Sequence, residues 1–325
     1  MLPLITLEEH FVSQAVYNSP IAAKLGMEKF PSAIPKLLSL GEERIKDMDE
    51  GQVALQIISH NPACLLDAET CQKANDQLFQ AVKLYPSRYA GFAVLPMKDP
   101  VAASTELQRC VKELGFVGAL VPNHADGVFY DGPDYDVLFN KFQELNVPIY
   151  IHPTNPADDS VSFYEGNYDV NLQLILSTFG WGWHADCGLH FLRLYSGGVF
   201  DRFKNLKIIL GHNGELVPFL LERTNAALNV MAPRDRTLKQ VWDENIWVTT
   251  SGMFTLPPFY CLLKTTKIDR ILYSVDYPFA NNSDGVEFIR ELSNSGLVTE
   301  EQIEMIAYRN AESLLNVKAQ QEEIL

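Results

Sequence analysis

Short, nearly continuous apolar runs recur along the chain, separated by longer stretches in which apolar positions repeat every three or four residues. The runs are too short for helices and too apolar for a sheet with one wet face, so they read as strands buried on both sides. They predict strands at 5–11, 53–59, 89–95, 117–121, 148–151, 207–210, 246–249 and 271–274. The intervening pattern predicts helices at 37–51, 68–85, 100–114, 135–145, 171–200, 216–229 and 257–265, with three more at 285–295, 300–308 and 310–315. In the helix at 37–51, Leu38, Ile45 and Met48 form the apolar stripe and Gly51 is the stop. From the opening strand to about residue 35, Pro20 and Pro31 interrupt any helix, and an irregular segment is expected.

Strands that alternate with helices pair in parallel through crossovers. Eight such units in 325 residues fit a closed (β/α)8 barrel, a TIM barrel with extra helices, better than an open sheet. No GxGxxG or Walker A motif follows any strand, which counts against a nucleotide-binding open sheet. No repeat, low-complexity tract or linker divides the chain, so one domain over 1–325 is expected, with 318–325 as a C-terminal tail.

Charge narrows the partners. Lys and Arg number 26 against 41 Asp and Glu, a net −15 with no basic cluster, so nucleic acid and anionic membrane surfaces are poor partners. No apolar run reaches the ~18 residues of a membrane span, and no secretory signal opens the chain. Cys64, Cys71, Cys110, Cys187 and Cys261 lack CxxC spacing and point to reduced thiols in a cytoplasmic protein, Cys64 and Cys71 serving as packing residues.

Chemistry in such a barrel sits at the C-terminal ends of the strands. The first strand ends in Glu8 and His10, which alternation puts on one side. Taken alone, this pair fits either two metal ligands or a solvated chain start. The fifth strand, however, ends in His152, the sixth in Gly211-His212-Asn213-Gly214-Glu215 and the eighth in Asp276. Buried carboxylates and imidazoles converging from four strands call for a compensating cation. His60 and the Asn123-His124 pair follow the second and fourth strands and are expected at the mouth, either supporting the ligands or facing substrate. His184 and His190, beside Trp181, Trp183 and Phe191, are expected in packing and helix hydrogen bonds.

The segments Thr6–Phe11, Tyr150–Pro153, Ile209–Glu215, Val248–Gly252 and Tyr273–Phe279 together resemble the amidohydrolase-type metal-dependent decarboxylases, over nearly the whole chain. They are most similar to the γ-resorcylate, 2,3-dihydroxybenzoate and salicylate decarboxylase branch. Glu-x-His in place of His-x-His separates the chain from aminocarboxymuconate-semialdehyde decarboxylase. The resemblance implies an amidohydrolase-type barrel with Glu8, His10, His152 and Asp276 holding one divalent ion. Zinc is the first expectation, manganese or magnesium the alternatives, and no organic cofactor is implied. His212 and Glu215 would form a hydrogen-bonded pair beside the ion, and Arg223 would hold a substrate anion. Met253 stands where similar sequences often carry Asn.

The activity implied is non-oxidative decarboxylation of a small aromatic acid, an ortho-hydroxybenzoate, with Asp276 returning a proton to the ring and carboxylation as the reverse. The alternatives are a metal-dependent hydrolase of a lactone or amide, with Asp276 as base, and a non-catalytic, metal-stabilised binding protein. Family resemblance further implies a homodimer or homotetramer, for which Trp181, Trp183 and Phe259 are the exposed aromatic positions expected to contribute.

Overall fold

A computed structural model describes residues 2–26 and 29–319 of the chain. Its frame is eight parallel strands, β1 (Leu4–Phe11), β2 (Val53–His60), β3 (Tyr89–Ala93), β4 (Gly118–Pro122), β5 (Ile149–His152), β6 (Ile208–Leu210), β7 (Ile246–Thr249) and β8 (Ile271–Leu272). They neighbour one another in sequence order, as a barrel wound once requires. Ile5, Leu7, Leu55, Ile57, Phe92, Leu120, Tyr150, Ile209 and Leu272 fill the lumen, and Ala311, Leu314 and Leu315 of helix Asn310–Leu315 pack with them. Alternate residues such as Ile58, Ala93, Val121, Ile151, Leu210 and Val248 belong to the larger layer under the surrounding helices. Both faces of each strand are thus covered, which is why the runs are apolar throughout.

The barrel closes through a seam built largely of side chains. β8 stops at Leu272, two residues earlier than the sequence predicts. Beyond it, Ser274 Oγ accepts from the backbone N–H groups of Leu7 (2.9 Å) and Glu8 (2.8 Å). The same hydroxyl donates to Glu9 Oε1 at 3.1 Å, and Glu9 also accepts from the N–H of Val275 (3.2 Å) and Tyr277 (3.3 Å). His10 N–H donates to the Tyr277 carbonyl at 2.7 Å.

Pairing of β1 with β2 slips between Thr6 and Glu9. Ile5 and Leu7 face the lumen, and strict alternation would send Glu9 after them. The slip re-aims the strand, so Glu8 and His10 reach the mouth while Glu9 turns into the seam.

Two expected helices are broken. The one at 37–51 is split into Ile34–Leu38 and Glu42–Glu50, the break falling at Ser39–Gly41, where Ser39 is extended, and Arg44 is buried just beyond it. There Arg44 donates to the carbonyls of His10 and Ser39 and lies 4.6 Å from the Tyr277 ring centre. The region 171–200 divides into Val170–Ser177, Gly182–Ser196 and Val199–Arg202. The segment expected to be irregular contains short helical turns at Gln14–Tyr17 and Pro20–Leu25. Of the tail at 318–325, Lys318 and Ala319 are tied to Glu312, and 320–325 lie outside the described residues. No disulfide joins the cysteines, and no helix among the described residues is long and apolar enough to cross a membrane.

Candidate active site

The ends of β1, β5, β6 and β8 bring Glu8, His152, His212 and Asp276 together as the strand pattern predicts. Glu8 is fully buried. Its Oε1 lies 3.0 Å from His152 Nε2 and 3.4 Å from His212 Nε2, and its other oxygen accepts from the Tyr150 hydroxyl. Tyr150 is held in turn by Thr249 Oγ1 (2.7 Å) and Ser251 Oγ (3.2 Å) at the end of β7. His10 Nε2 stands 3.3 Å from Asp276 Oδ1. Gly211 makes room for this convergence: a Cβ there would come within 2.8 Å of Glu8 Oε2 and 3.2 Å of Glu215 Oε1.

Ligand atoms of Glu8, His10, His152 and Asp276 all lie within 4.8 Å of one another. Glu8 Oε1, His10 Nε2, His152 Nε2 and Asp276 Oδ1 are buried and, despite their closeness, none is aligned in a hydrogen bond. Buried polar atoms are rarely left so. His152 Nδ1 meets the Pro153 carbonyl at 2.6 Å, so that nitrogen donates and Nε2 points to the centre. Two carboxylates and two imidazoles suit a divalent ion, and the residues fit one.

The electrostatics agree. Burial pushes the Glu8 carboxyl up, but His212, His152 and His10 outweigh it and hold it well below the usual range. Burial opposes protonation of His212 and His152, yet Glu8 in both cases, joined by Glu215 at His212, raises them. Burial lowers His10. A bound dication would take over the balancing role of those protons.

His212 and Glu215 form the expected pair, with Nδ1 to Oε1 at 2.7 Å. His212 Nε2 then faces Asp276 Oδ2 at 3.9 Å. The loop carrying them holds five successive positive φ angles, from His212 (47°) to Leu216 (64°). Such left-handed conformations cost roughly 1–3 kcal/mol each at non-glycine residues and persist where the surroundings impose them. Asp276, at φ 70°, keeps 19% of its side chain exposed and opens on a cavity of about 430 Å³. Leu25, Phe30, Leu174, Phe179 and Phe279 form much of its apolar wall, with Asn61 and Thr154 among its polar groups.

Four expected substrate contacts lie elsewhere, His124 among them, which accepts from the Gly127 N–H at 3.2 Å and does not line the cavity. Arg223 is exposed on helix Val217–Met231 and does not line the cavity. His60 turns to the Ser13 N–H (3.1 Å) and the Asn61 carbonyl (3.0 Å), and burial lowers it to about 4. Asn123 accepts from Thr154 N–H at 3.1 Å, standing behind the wall. Asn61 and Thr154, beside them, are the residues that line the cavity. Among the described lining residues, Lys29 is the one Lys or Arg. Phe259 is fully buried rather than exposed, Trp183 is half-buried, and Trp181 is exposed as expected.

Sequence reasoning missed Glu9, Tyr150 and His184. Burial pushes Glu9 up to about 8, and its work is in the seam. His184 leaves its expected packing role to meet Glu215 Oε2 at 2.7 Å. Burial raises Glu215, but His212 and His184 together hold it at about 2. A carboxylate doublet ending a buried strand was the signal available for Glu9; the other two carry none at sequence level.

Comparison with known proteins adds the family. An amidohydrolase family model matches residues 65–317. Decarboxylase orsB of Emericella nidulans is 49% identical, covering 99% of each chain. Gamma-resorcylate decarboxylase of Polaromonas sp. is 34% identical, covering 96% of this chain and 98% of that one. The crystal structure of a dihydroxybenzoic acid decarboxylase from Polaromonas sp., with bound manganese and the inhibitor 2-nitroresorcinol, superposes with a TM-score of 0.87 at 33% identity, covering all of both chains. With that match over most of its length and relatives this close end to end, the chain belongs to the amidohydrolase family, among its metal-dependent decarboxylases.

Proposed function

We propose that the chain catalyses non-oxidative decarboxylation of an ortho-hydroxybenzoate, releasing a phenol and CO2, with carboxylation as the reverse at high bicarbonate. The observation that carries this is Asp276, a partly exposed carboxylate facing an aromatic-lined cavity while His212 stands 3.9 Å behind it. Breaking an aryl–carboxylate bond directly would leave an aryl carbanion. Protonating the carboxylate-bearing carbon first avoids it, and an ortho hydroxyl makes that carbon basic. Asp276 can accept the phenolic proton and deliver it to the ring carbon, after which the C–C bond breaks to CO2. A solvent proton then restores the phenol, and His212, its Nδ1 held by Glu215, can hold and pass it. A divalent ion on Glu8, His10, His152 and Asp276 would, when bound, orient the substrate's oxygens and lower the phenol pKa. Manganese occupies a structure of a relative; zinc and manganese are the two ions to compare.

Lys29 at the cavity supplies the positive charge expected of Arg223. The full-length decarboxylase relatives favour this lyase chemistry over hydrolysis of a lactone or amide. Five cysteines, none in a disulfide, support a cytoplasmic setting. Phe219, Val230 and Met231, each about four-fifths exposed on helix Val217–Met231, support self-association into a dimer or tetramer, which light scattering reads directly.

The test is turnover. Protein loaded with Mn2+ or Zn2+ and incubated with salicylate, 2,3- and 2,6-dihydroxybenzoate should release the matching phenol. Hydrolysis of lactones with no CO2 from any aromatic acid would replace this function with the hydrolase.

A further inference from the structure

Behind the four residues at the ligand position, a second buried set meets: His184, His212 and Glu215. Glu215 is fully buried, and each of its oxygens is taken by one ring. Oε1 accepts from His212 Nδ1 and Oε2 from His184 Nδ1, both at 2.7 Å. The two imidazoles lie 4.8 Å apart, edge to face. The carboxylate is therefore a strut between two rings, and His212 cannot rotate without disturbing it.

His184 also reaches outward. Its Nε2 lies 3.0 Å from the carbonyl of Phe179. His184 thus has an acceptor opposite each ring nitrogen, the Glu215 carboxylate at Nδ1 and the Phe179 carbonyl at Nε2. Phe179 itself lines the cavity, its ring 6.3 Å from those of Phe30 and Trp183. Helix Gly182–Ser196 is fixed at the distance this needs: Gly188, one turn beyond His184, approaches the Glu215 carbonyl so closely that a Cβ would collide with it.

The geometry points to His184 as a positioning residue that clamps Glu215, so that His212 faces Asp276, and ties that pair to the aromatic wall at Phe179. Placing the aromatic ring and placing the proton-handling imidazole are thereby linked. This rests on the decarboxylase function proposed above, and it adds a residue that strand-end logic does not find.

Three substitutions separate the two contacts. His184→Ala removes both, and kcat is expected to fall roughly 10–100-fold, the range for losing a partner that orients a reacting group, while KM for the aromatic acid rises. His184→Asn places an amide N–H near the Nδ1 position and should restore kcat. His184→Gln places one near Nε2 and should restore KM with kcat still low. Mn2+ affinity and Tm should stay near those of the parent in all three. The idea is overturned if His184→Ala keeps kcat within twofold of the parent, if neither amide restores either constant, or if the loss follows lost Mn2+ or a lowered Tm. Should the parent decarboxylate none of the acids, the function falls on its own. The clamp is then judged by calorimetric binding of 2-nitroresorcinol to the Mn2+-loaded protein: weaker binding by His184→Ala, recovered in His184→Gln, supports it, and unchanged binding overturns it.

Discussion

Glu8, His152 and Asp276 could be read from sequence because each is a polar residue directly after a buried apolar run, and a strand end fixes where a side chain starts. It does not fix where the side chain turns. His60 ends β2 in the same way, yet Ser13 and Asn61 claim both its nitrogens. Arg223 failed for another reason: eight residues beyond Glu215, it lies on an outer face of its helix. Asp276 carries the sharpest consequence at this scale. Asp276→Asn keeps an oxygen ligand but loses the exchangeable proton. Its kcat should fall roughly a hundred- to ten-thousandfold, far more than its Mn2+ affinity, as stopped-flow turnover and metal titration together would reveal. Equal losses in both would make Asp276 a ligand alone.

At the level of elements, strand positions came out within a residue or two, because doubly buried strands have an unmistakable composition. The errors fall where a side chain replaces a ladder. β8 ends early as Ser274 takes over the pairing with β1, and the helix expected at 37–51 is interrupted at Ser39–Gly41, beside Arg44, whose guanidinium reaches the His10 carbonyl of β1. Neither partner is near in sequence. Ser274→Ala would leave two buried N–H groups without an acceptor, so the protein should lose roughly 2–4 kcal/mol in urea unfolding. A loss below about 0.5 kcal/mol would show that the seam closes without the hydroxyl. Helix Gly182–Ser196 supplies another test. His190 accepts from Tyr130 N–H at 3.2 Å, and burial lowers it to about 3. Its value in the unfolded chain is about 6.5, so between these limits the unfolded state binds the extra proton. Stability therefore falls as pH drops through that window, by up to about 1.4 kcal/mol per unit. In metal-free buffer, His190→Asn should lose about 2 kcal/mol less than the parent between pH 6.5 and pH 5. Identical slopes would refute the assignment.

For the whole molecule, the eightfold alternation made the barrel legible, while the cavity wall was not, since Phe30 and Phe279 come from irregular segments and Phe179 from a break within the helix expected over 171–200. A divalent ion held by Glu8, His10, His152 and Asp276, as proposed, would join these scales. It would bind the folded chain through residues that lie apart in the unfolded one, so at a thousandfold above its Kd it should add about 4 kcal/mol. Chelation is expected to lower Tm by several degrees and abolish turnover, and restored Mn2+ to recover both. A melting curve indifferent to chelator would contradict the four-ligand centre.

The seam sets a further condition on when this enzyme exists at all. Glu8 and Ser274 are 266 positions apart, and Asp276 comes later still. A chain emerging from the ribosome therefore carries Glu8, His10 and His152 long before the last of the proposed ligands and the clasp have been translated. If Asp276 has the role proposed for it, catalysis must wait for the final strand, and truncated products or chains arrested before it would be inert, however much of the barrel they had already built.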